Sequence, residues 1–437
     1  MKQALVREIM STDFLRKFGV SPTTGFLPED LPLQKLCGQF DAWENIVADL
    51  PALILAGQIR DRIDSLPILD VGKLHNVREQ HRAYSVLGFL IHAYVWSPPE
   101  PRDHLPKSLA DPMLVLAEKL GIPPLATYAC LCLWNFRTLS AVDPSEWDLS
   151  NLATIQTFTG ATDESWFYLL SVALERFGGP CLANGVGALF ACRSGDIDDI
   201  IVKLERMTGD IDNLTELLMR MPQNLDPHFF YHRLRPYLAG SKGMESAGLP
   251  KGVRYGDEEK YRQYSGGSNG QSSLIQAIDI ILNVDHNAPG HRQPPMPVSK
   301  QHDIKETGSS KPKNAFLKEM RNYMPREHRH FLEELESQAI LRPFILKNAK
   351  SYPNLAKAYD DCLIALREFR SKHIQIVMRY ISLQSRAQTK GVGLSSSNGQ
   401  TGTGGTDLMP FLKQTRDEVS DVAVGDWNKN ILSSRNY

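Results

Sequence analysis

The run LAKAYDDCLIALREFRSKHIQIVMRYI at 355–381 contains neither proline nor glycine, and it restricts the fold more than any other stretch of the chain. Leu355, Tyr359, Cys362, Leu366, Phe369, His373, Ile376 and Tyr380 recur at steps of four and three. Because an α-helix turns once every 3.6 residues, that spacing predicts one long helix with all of them on a single face. Lys357, Asp360, Asp361, Arg367, Glu368, Arg370, Lys372 and Arg379 fall on the other faces, so the helix is amphipathic and lays its stripe against a core. One residue of the stripe, His373, is polar. A neutral imidazole facing an apolar interior is what an axial haem ligand requires. A core histidine hydrogen-bonded to a neighbour has the same pattern, and the helix alone does not separate the two.

Helical periodicity continues through most of the chain. It predicts helices over 41–57, 75–95, 108–120, 123–138, 164–177, 182–192, 196–207, 210–220, 227–239, 270–284, 314–323, 325–337, 353–384 and 406–419. Pro123 and Pro124 suit a first turn, and Asp196, Asp198, Asp210 and Asp212 load first turns with negative charge. No convincing set of alternating strands accompanies them, so the class is mainly α. The turn-rich stretch 140–165 reads as a boundary between a smaller N-terminal helical domain, 1–155, and a larger C-terminal one, 156–437. Residues 286–313 and 386–402 are rich in Pro, Ser, Gly or Lys and are expected to be flexible.

Charge balances almost completely, 49 basic against 50 acidic residues, and no basic block argues for nucleic acid or an anionic membrane. The longest nearly apolar run, YSVLGFLIHAYVW at 84–96, is too short to span a bilayer. The opening MKQALVREIMSTDF has no apolar signal core, and six cysteines without paired spacing suggest reduced thiols. The expected location is the cytoplasm. Cys130 and Cys132 lack a second pair or a nearby histidine, and read as packing residues and not as a zinc site.

Several segments carry a resemblance. They are IPPLATYACLCLWNF (122–136), WFYLLSVALE (166–175), LDPHFFYHRLRPYLAG (225–240), YSGGSNGQSS (264–273), FLKEMRNYMPREHRHFLEELES (316–337), FRSKHIQIVMRYI (369–381) and GTGGTDLM (402–409). In wording and order they resemble the indoleamine 2,3-dioxygenase family, from roughly residue 15 to 420. The resemblance implies a two-domain helical fold with haem b held in the larger, C-terminal domain. It implies cleavage of the indole 2,3-bond of L-tryptophan by dioxygen to N-formylkynurenine, with an electron donor that keeps the iron ferrous. A monomer is expected. Two rivals stay open at this point: a haem-binding relative with weak tryptophan turnover or another indole substrate, and a helical scaffold without haem.

By the same resemblance His373 is the proximal iron ligand. Arg370, one turn earlier, meets a haem propionate and is oriented by Asp279. Asp279 interrupts the apolar SLIQAIDIILNV, where an unpaired buried carboxylate would be costly, so physics also predicts a charged partner. Phe167 and Ser171, four residues apart, form the distal wall, and Tyr128 and Leu131 close the indole pocket. Phe230 lies beside the substrate and Arg235 binds its carboxylate, for which a planar guanidinium is suited. Gly267 and Ser268 belong to a loop along the haem and substrate, and Thr403 bonds the substrate when the GTGGT loop closes. No side chain is expected to act as acid or base. Leu131 stands where a family member has cysteine. Pro236 also departs from the pattern, and it should end or kink the helix at Arg235.

Overall fold

A computed structural model describes residues 2–288, 315–386 and 408–425. Thr403 and nearly all of the two segments expected to be flexible lie outside the described residues. The fold is mainly α. The first half holds α1 (Lys2–Arg16), α2 (Asp41–Ala48), α3 (Leu50–Leu55), α4 (Ile59–Asp64), α5 (Val77–Trp96) and α6 (Lys107–Leu120). Two long helices follow, α7 (Thr162–Ser194) and α8 (Ile197–Leu218), then the short α9 (Pro227–Phe229) and α10 (Arg235–Leu238). The rest comprises α11 (Ser273–Ile281), α12 (Ala315–Arg321), α13 (Arg326–Ser337), α14 (Leu341–Asn348), α15 (Pro353–Val377), α16 (Leu383–Arg386) and α17 (Leu408–Asp421).

Several expected boundaries are wrong for identifiable reasons. The helices expected at 164–177 and 182–192 are one, α7, although Gly178, Gly179 and Pro180 lie inside it. Those glycines let another segment cross the helix. A Cβ on Gly179 would sit 2.5 Å from the Thr23 carbonyl carbon, and one on Gly25 equally close to the Glu175 carbonyl oxygen. The helices expected at 196–207 and 210–220 likewise merge into α8, whose start is capped by Asp196 accepting from the Asp199 N–H at 3.2 Å. Helices α1, α4 and α14 were not foreseen.

The largest correction concerns 123–138. It forms a single π-turn, Ala129–Leu133, and then a strand, Phe136–Thr138. Side chains from elsewhere take donors that a helix start would leave open. The Ala126 N–H bonds His92 Nε2 at 3.2 Å, and the Tyr128 N–H bonds Gln271 Oε1 at 2.9 Å. Nor is the chain free of sheet. His104–Leu105, Val253–Tyr255 and Tyr261–Arg262 form a three-stranded sheet, parallel in its first pair and antiparallel in its second. Phe136–Thr138 pairs antiparallel with Leu152–Thr154. Strands of two or three residues are too short to show an alternating pattern.

Pro236 does not end the helix at Arg235. Arg235 keeps helical angles, φ −54° and ψ −34°, at the head of α10. The distortion is taken upstream by a π-turn, Phe230–Leu234, in which the Arg235 N–H reaches back to the Phe230 carbonyl. A third π-turn, Met378–Ser382, follows α15.

Two large apolar clusters fill the interior. One takes α5, α6, the 126–136 segment and the first turns of α7, together with Phe230, Ile376 and Tyr380. The other takes the later part of α7, α8, α11, α13 and the α15 residues from Leu355 to Phe369. The stripe on α15 thus leaves one core after Phe369 and enters the other at Ile376, with His373 between them. Asp360, expected on a solvent face, is buried and accepts the Val424 and Gly425 N–H groups at 2.9 and 2.6 Å. Among the described residues no helix is long and apolar enough to cross a membrane.

Candidate active site

Seven of the eight stripe residues on α15 and its π-turn are buried; His373 alone keeps part of its surface uncovered. Burial among protein atoms, with Arg370 adding to it, pushes its imidazole down to about 4. The ring is therefore neutral near pH 7. Neither ring nitrogen makes a hydrogen bond among the described residues.

One turn before it, Arg370 Nη2 donates to both oxygens of Asp279, at 2.7 and 2.6 Å. This is the partner that a carboxylate in an apolar helix demands. Arg370 Nε is buried with no partner among the described residues. Asp279 also faces His286 Nε2 at 3.1 Å, and His286 Nδ1 faces Glu418 Oε2 at 2.8 Å. Sequence reasoning missed His286 and Glu418, which are 132 residues apart.

Across from α15, the Phe230 ring meets Tyr380 edge-on at 5.9 Å and Phe167 at 5.0 Å. Phe167 begins a face of α7 that continues through Ser171 to Glu175 at steps of four. The Ser171 hydroxyl donates to its own helix, to the Phe167 carbonyl at 3.3 Å. Glu175 Oε1 accepts from the Tyr128 hydroxyl at 2.9 Å and the Ser272 hydroxyl at 2.6 Å. Burial pushes the Glu175 carboxyl up to about 7, and its Oε2 has no partner among the described residues. Ser272 caps α11, which carries Asp279. The contacts therefore close a circuit from α15 through Phe230, α7 and α11 back to α15 at Arg370.

The 266–270 loop is tied into this circuit. Gln271 Nε2 donates to the Gly266 carbonyl at 2.8 Å while its Oε1 takes the Tyr128 N–H. Gly267 lies against Leu131 so closely that an added Cβ would overlap Leu131 Cδ1. Ser268 stands at the edge of the loop, accepting the Gly270 N–H at 3.2 Å. The end of the 227–238 segment runs alongside, with the Ser241 N–H on the Tyr264 carbonyl at 2.8 Å. Arg235 is half-buried with its guanidinium 5.1 Å from the centre of the Tyr231 ring, whereas Arg233 is exposed. His92 holds this segment to the 126 turn, with Nδ1 on the Tyr237 carbonyl at 2.7 Å and Nε2 on the Ala126 N–H. Contacts thus link Phe230, Phe167, Ser171, Tyr128, Asp279 and Arg370, with His373 three residues beyond Arg370 on α15 and Leu131 against Gly267. Glu175, Gln271 and His92 went unnoticed in sequence because their partners lie far along the chain. The step of four from Ser171 to Glu175 was the available signal.

Fold and contacts together define a helical protein in which α15 carries a neutral imidazole with no hydrogen bond among the described residues. The sequence model of indoleamine 2,3-dioxygenase matches residues 14–422. The chain is 45% identical to indoleamine 2,3-dioxygenase of Saccharomyces cerevisiae over 441 residues, 94% of each chain. Identity is 36% to 6-hydroxytryptophan 2,3-dioxygenase of Fusarium equiseti, over 93% of this chain and 96% of that one. It is 32% to indoleamine 2,3-dioxygenase 1 of Rattus norvegicus, over 95% and 97%. The chain belongs to the indoleamine 2,3-dioxygenase family and is an oxidoreductase.

Proposed function

We propose that the chain cleaves the indole 2,3-bond of L-tryptophan with dioxygen, giving N-formylkynurenine, at a haem b whose iron is held by His373. The observation that carries this reading is His373 itself, a neutral imidazole with no hydrogen-bonding partner among the described residues, in an otherwise apolar stripe. The surrounding residues fit the cofactor. The buried Arg370 Nε lacks a partner among the described residues, which suits an anionic propionate. When bound, haem supplies the redox-active iron at which dioxygen is activated, and an external donor keeps it ferrous.

The chain's own residues bind and orient. Phe167, Phe230, Tyr128 and Leu131 enclose the indole and exclude water, and Ser171 lines the distal wall. Arg235 holds the substrate carboxylate, with Ser268 and Thr403 completing the polar end. None of these is required to act as an acid or base, so the acceleration comes from proximity and orientation. Leu131 offers no hydrogen-bonding group to a ring hydroxyl, which favours the unsubstituted indole. We also read 1–155 and 156–437 as the smaller and larger domains of a cytoplasmic monomer.

Absorbance of the purified protein with added haem tests the reading. A Soret band that shifts with tryptophan is expected, and His373→Ala should abolish or greatly weaken haem retention. Full occupancy with an unchanged spectrum in that variant would overturn the ligand assignment. Arg235→Ala should keep haem and lose roughly 2–4 kcal/mol of productive binding, the scale of a truncated charge pair. Normal turnover in Arg235→Ala together with loss in Arg233→Ala would move the clamp to Arg233.

A further inference from the structure

Behind Arg370 lies a row of alternating charge that no step above uses. Arg370 bonds both Asp279 oxygens, His286 sits between Asp279 and Glu418, and Glu418 is 1% exposed. Glu418 Oε1 is itself filled by the Asn287 N–H at 3.1 Å, the Asn287 amide at 3.2 Å and the Gln414 amide at 2.9 Å. Each ring nitrogen of His286 faces a carboxylate oxygen, and carboxylates only accept. His286 Nε2 also lies 3.3 Å from Arg370 Nη2, so the row alternates two carboxylates with an arginine and a histidine whose charge the carboxylates favour and Arg370 opposes. Burial opposes the charge on His286, but Asp279 and Glu418 outweigh it and hold its affinity for the proton above the ordinary range. Burying charged groups costs more than their mutual attraction repays unless geometry and remaining bonds are satisfied, and here nearly all are.

The row also joins distant pieces of chain. Asp279 belongs to α11, Arg370 to α15 and Glu418 to α17, while His286 lies in the segment after α11. Asp279 has two jobs. It aligns Arg370, and it closes the bond to His286. Without a proton donor at His286, Asp279 Oδ2 is left with Arg370 alone and is free to follow it.

We propose that His286 and Glu418 are positioning residues for the haem-side arginine: by fixing Asp279 from behind, they hold Arg370 in place one turn from His373. The inference rests on the haem reading above. Their action passes through Arg370, so removing Arg370 should silence them.

The test is the rate of haem release from the holoenzyme to excess apomyoglobin. His286→Gln and Glu418→Gln should each speed release about tenfold or more, the range in which partners of metal-ligand residues act. Glu418→Gln retains an oxygen for Asn287 and Gln414, so it keeps the test alive if His286→Gln folds poorly. In an Arg370→Leu background neither substitution should speed release further. A role confined to tying α17 to the core would instead lower the melting temperature of haem-free protein and speed release equally with or without Arg370. Wild-type release from both single variants, or additive effects with Arg370→Leu, would overturn the proposal. If the unsubstituted protein takes up no haem, the haem reading fails first and this inference falls with it.

Discussion

At Glu175 one oxygen, Oε1, accepts from both Tyr128 and Ser272, while burial lifts the carboxyl to about 7. In the unfolded chain the same group releases its proton near 4.5. The folded state therefore binds the proton more tightly, and the associated stability is complete below 4.5 and lost as pH rises through about 7. Between pH 5 and 8 the wild type should lose on the order of 3 kcal/mol relative to Glu175→Gln. Urea melts of both proteins at the two pH values would show it, and parallel slopes would refute it. Gly267 gives a second handle. Gly267→Ala puts a methyl where Leu131 Cδ1 now sits, which should displace Leu131 and raise the KM for tryptophan. Adding Leu131→Ala should recover most of the loss. The two residues differ in how readily sequence exposes them. Asp279 announces its need for a cation because it breaks an apolar helix, and His373 stands out in the same way. Glu175 is hidden, since its meaning comes from Tyr128 and Ser272, 47 and 97 residues away.

Among the elements, the helices carrying the site were legible where the apolar period ran unbroken, as on α15. They were illegible where tertiary contacts override local signals. The Gly-Gly-Pro inside α7 reads as a stop, yet the Thr23–Gly25 crossing needs small residues there and the helix continues. The 123–138 stretch looks helical, but His92 and Gln271 claim its amides first. Each of the three π-turns, Ala129–Leu133, Phe230–Leu234 and Met378–Ser382, includes or adjoins a candidate pocket residue or its neighbour: Leu131, Phe230 and Tyr380. A π-turn re-aims the residues after it, and no period in the sequence marks one. Pro236 reinforces the one at 230–234, because it has no N–H with which to tighten the next turn. Pro236→Ala should relax that segment toward regular helix. The expected result is a raised KM for tryptophan with haem content unchanged and stability within about 1 kcal/mol, the scale for substitutions that create neither cavity nor buried charge. Unaltered kinetics would show that the aim of Arg235 does not depend on the turn.

For the whole molecule, four histidines held down by burial make acid a vulnerable direction. Burial holds His81 and His92 down to about 4 and His328 to about 3. Unfolding frees each to take a proton near 6.5, so their stabilising share is full above that pH and is lost as pH falls toward 4. Replacing His328 by Asn should flatten the fall in stability between pH 7 and 5, as denaturant melts would register; an unchanged fall would show that His328 has no part in it. His373, also held to about 4, acts with them, while Glu175, Glu164, Asp210 and Asp212, whose carboxyls burial raises, act in the opposite sense. A second property follows from where α15 carries its histidine. Phe369 is packed in one core and Ile376 in the other, so His373 occupies the seam. A ligand gripped at a seam contributes to cooperativity as well as to affinity. Haem-free protein should melt in two calorimetric steps and loaded protein in one, with the gap closing as free haem exceeds its dissociation constant. A newly made chain would then have a lifetime set by the haem supply around it, falling to proteases when that supply runs short.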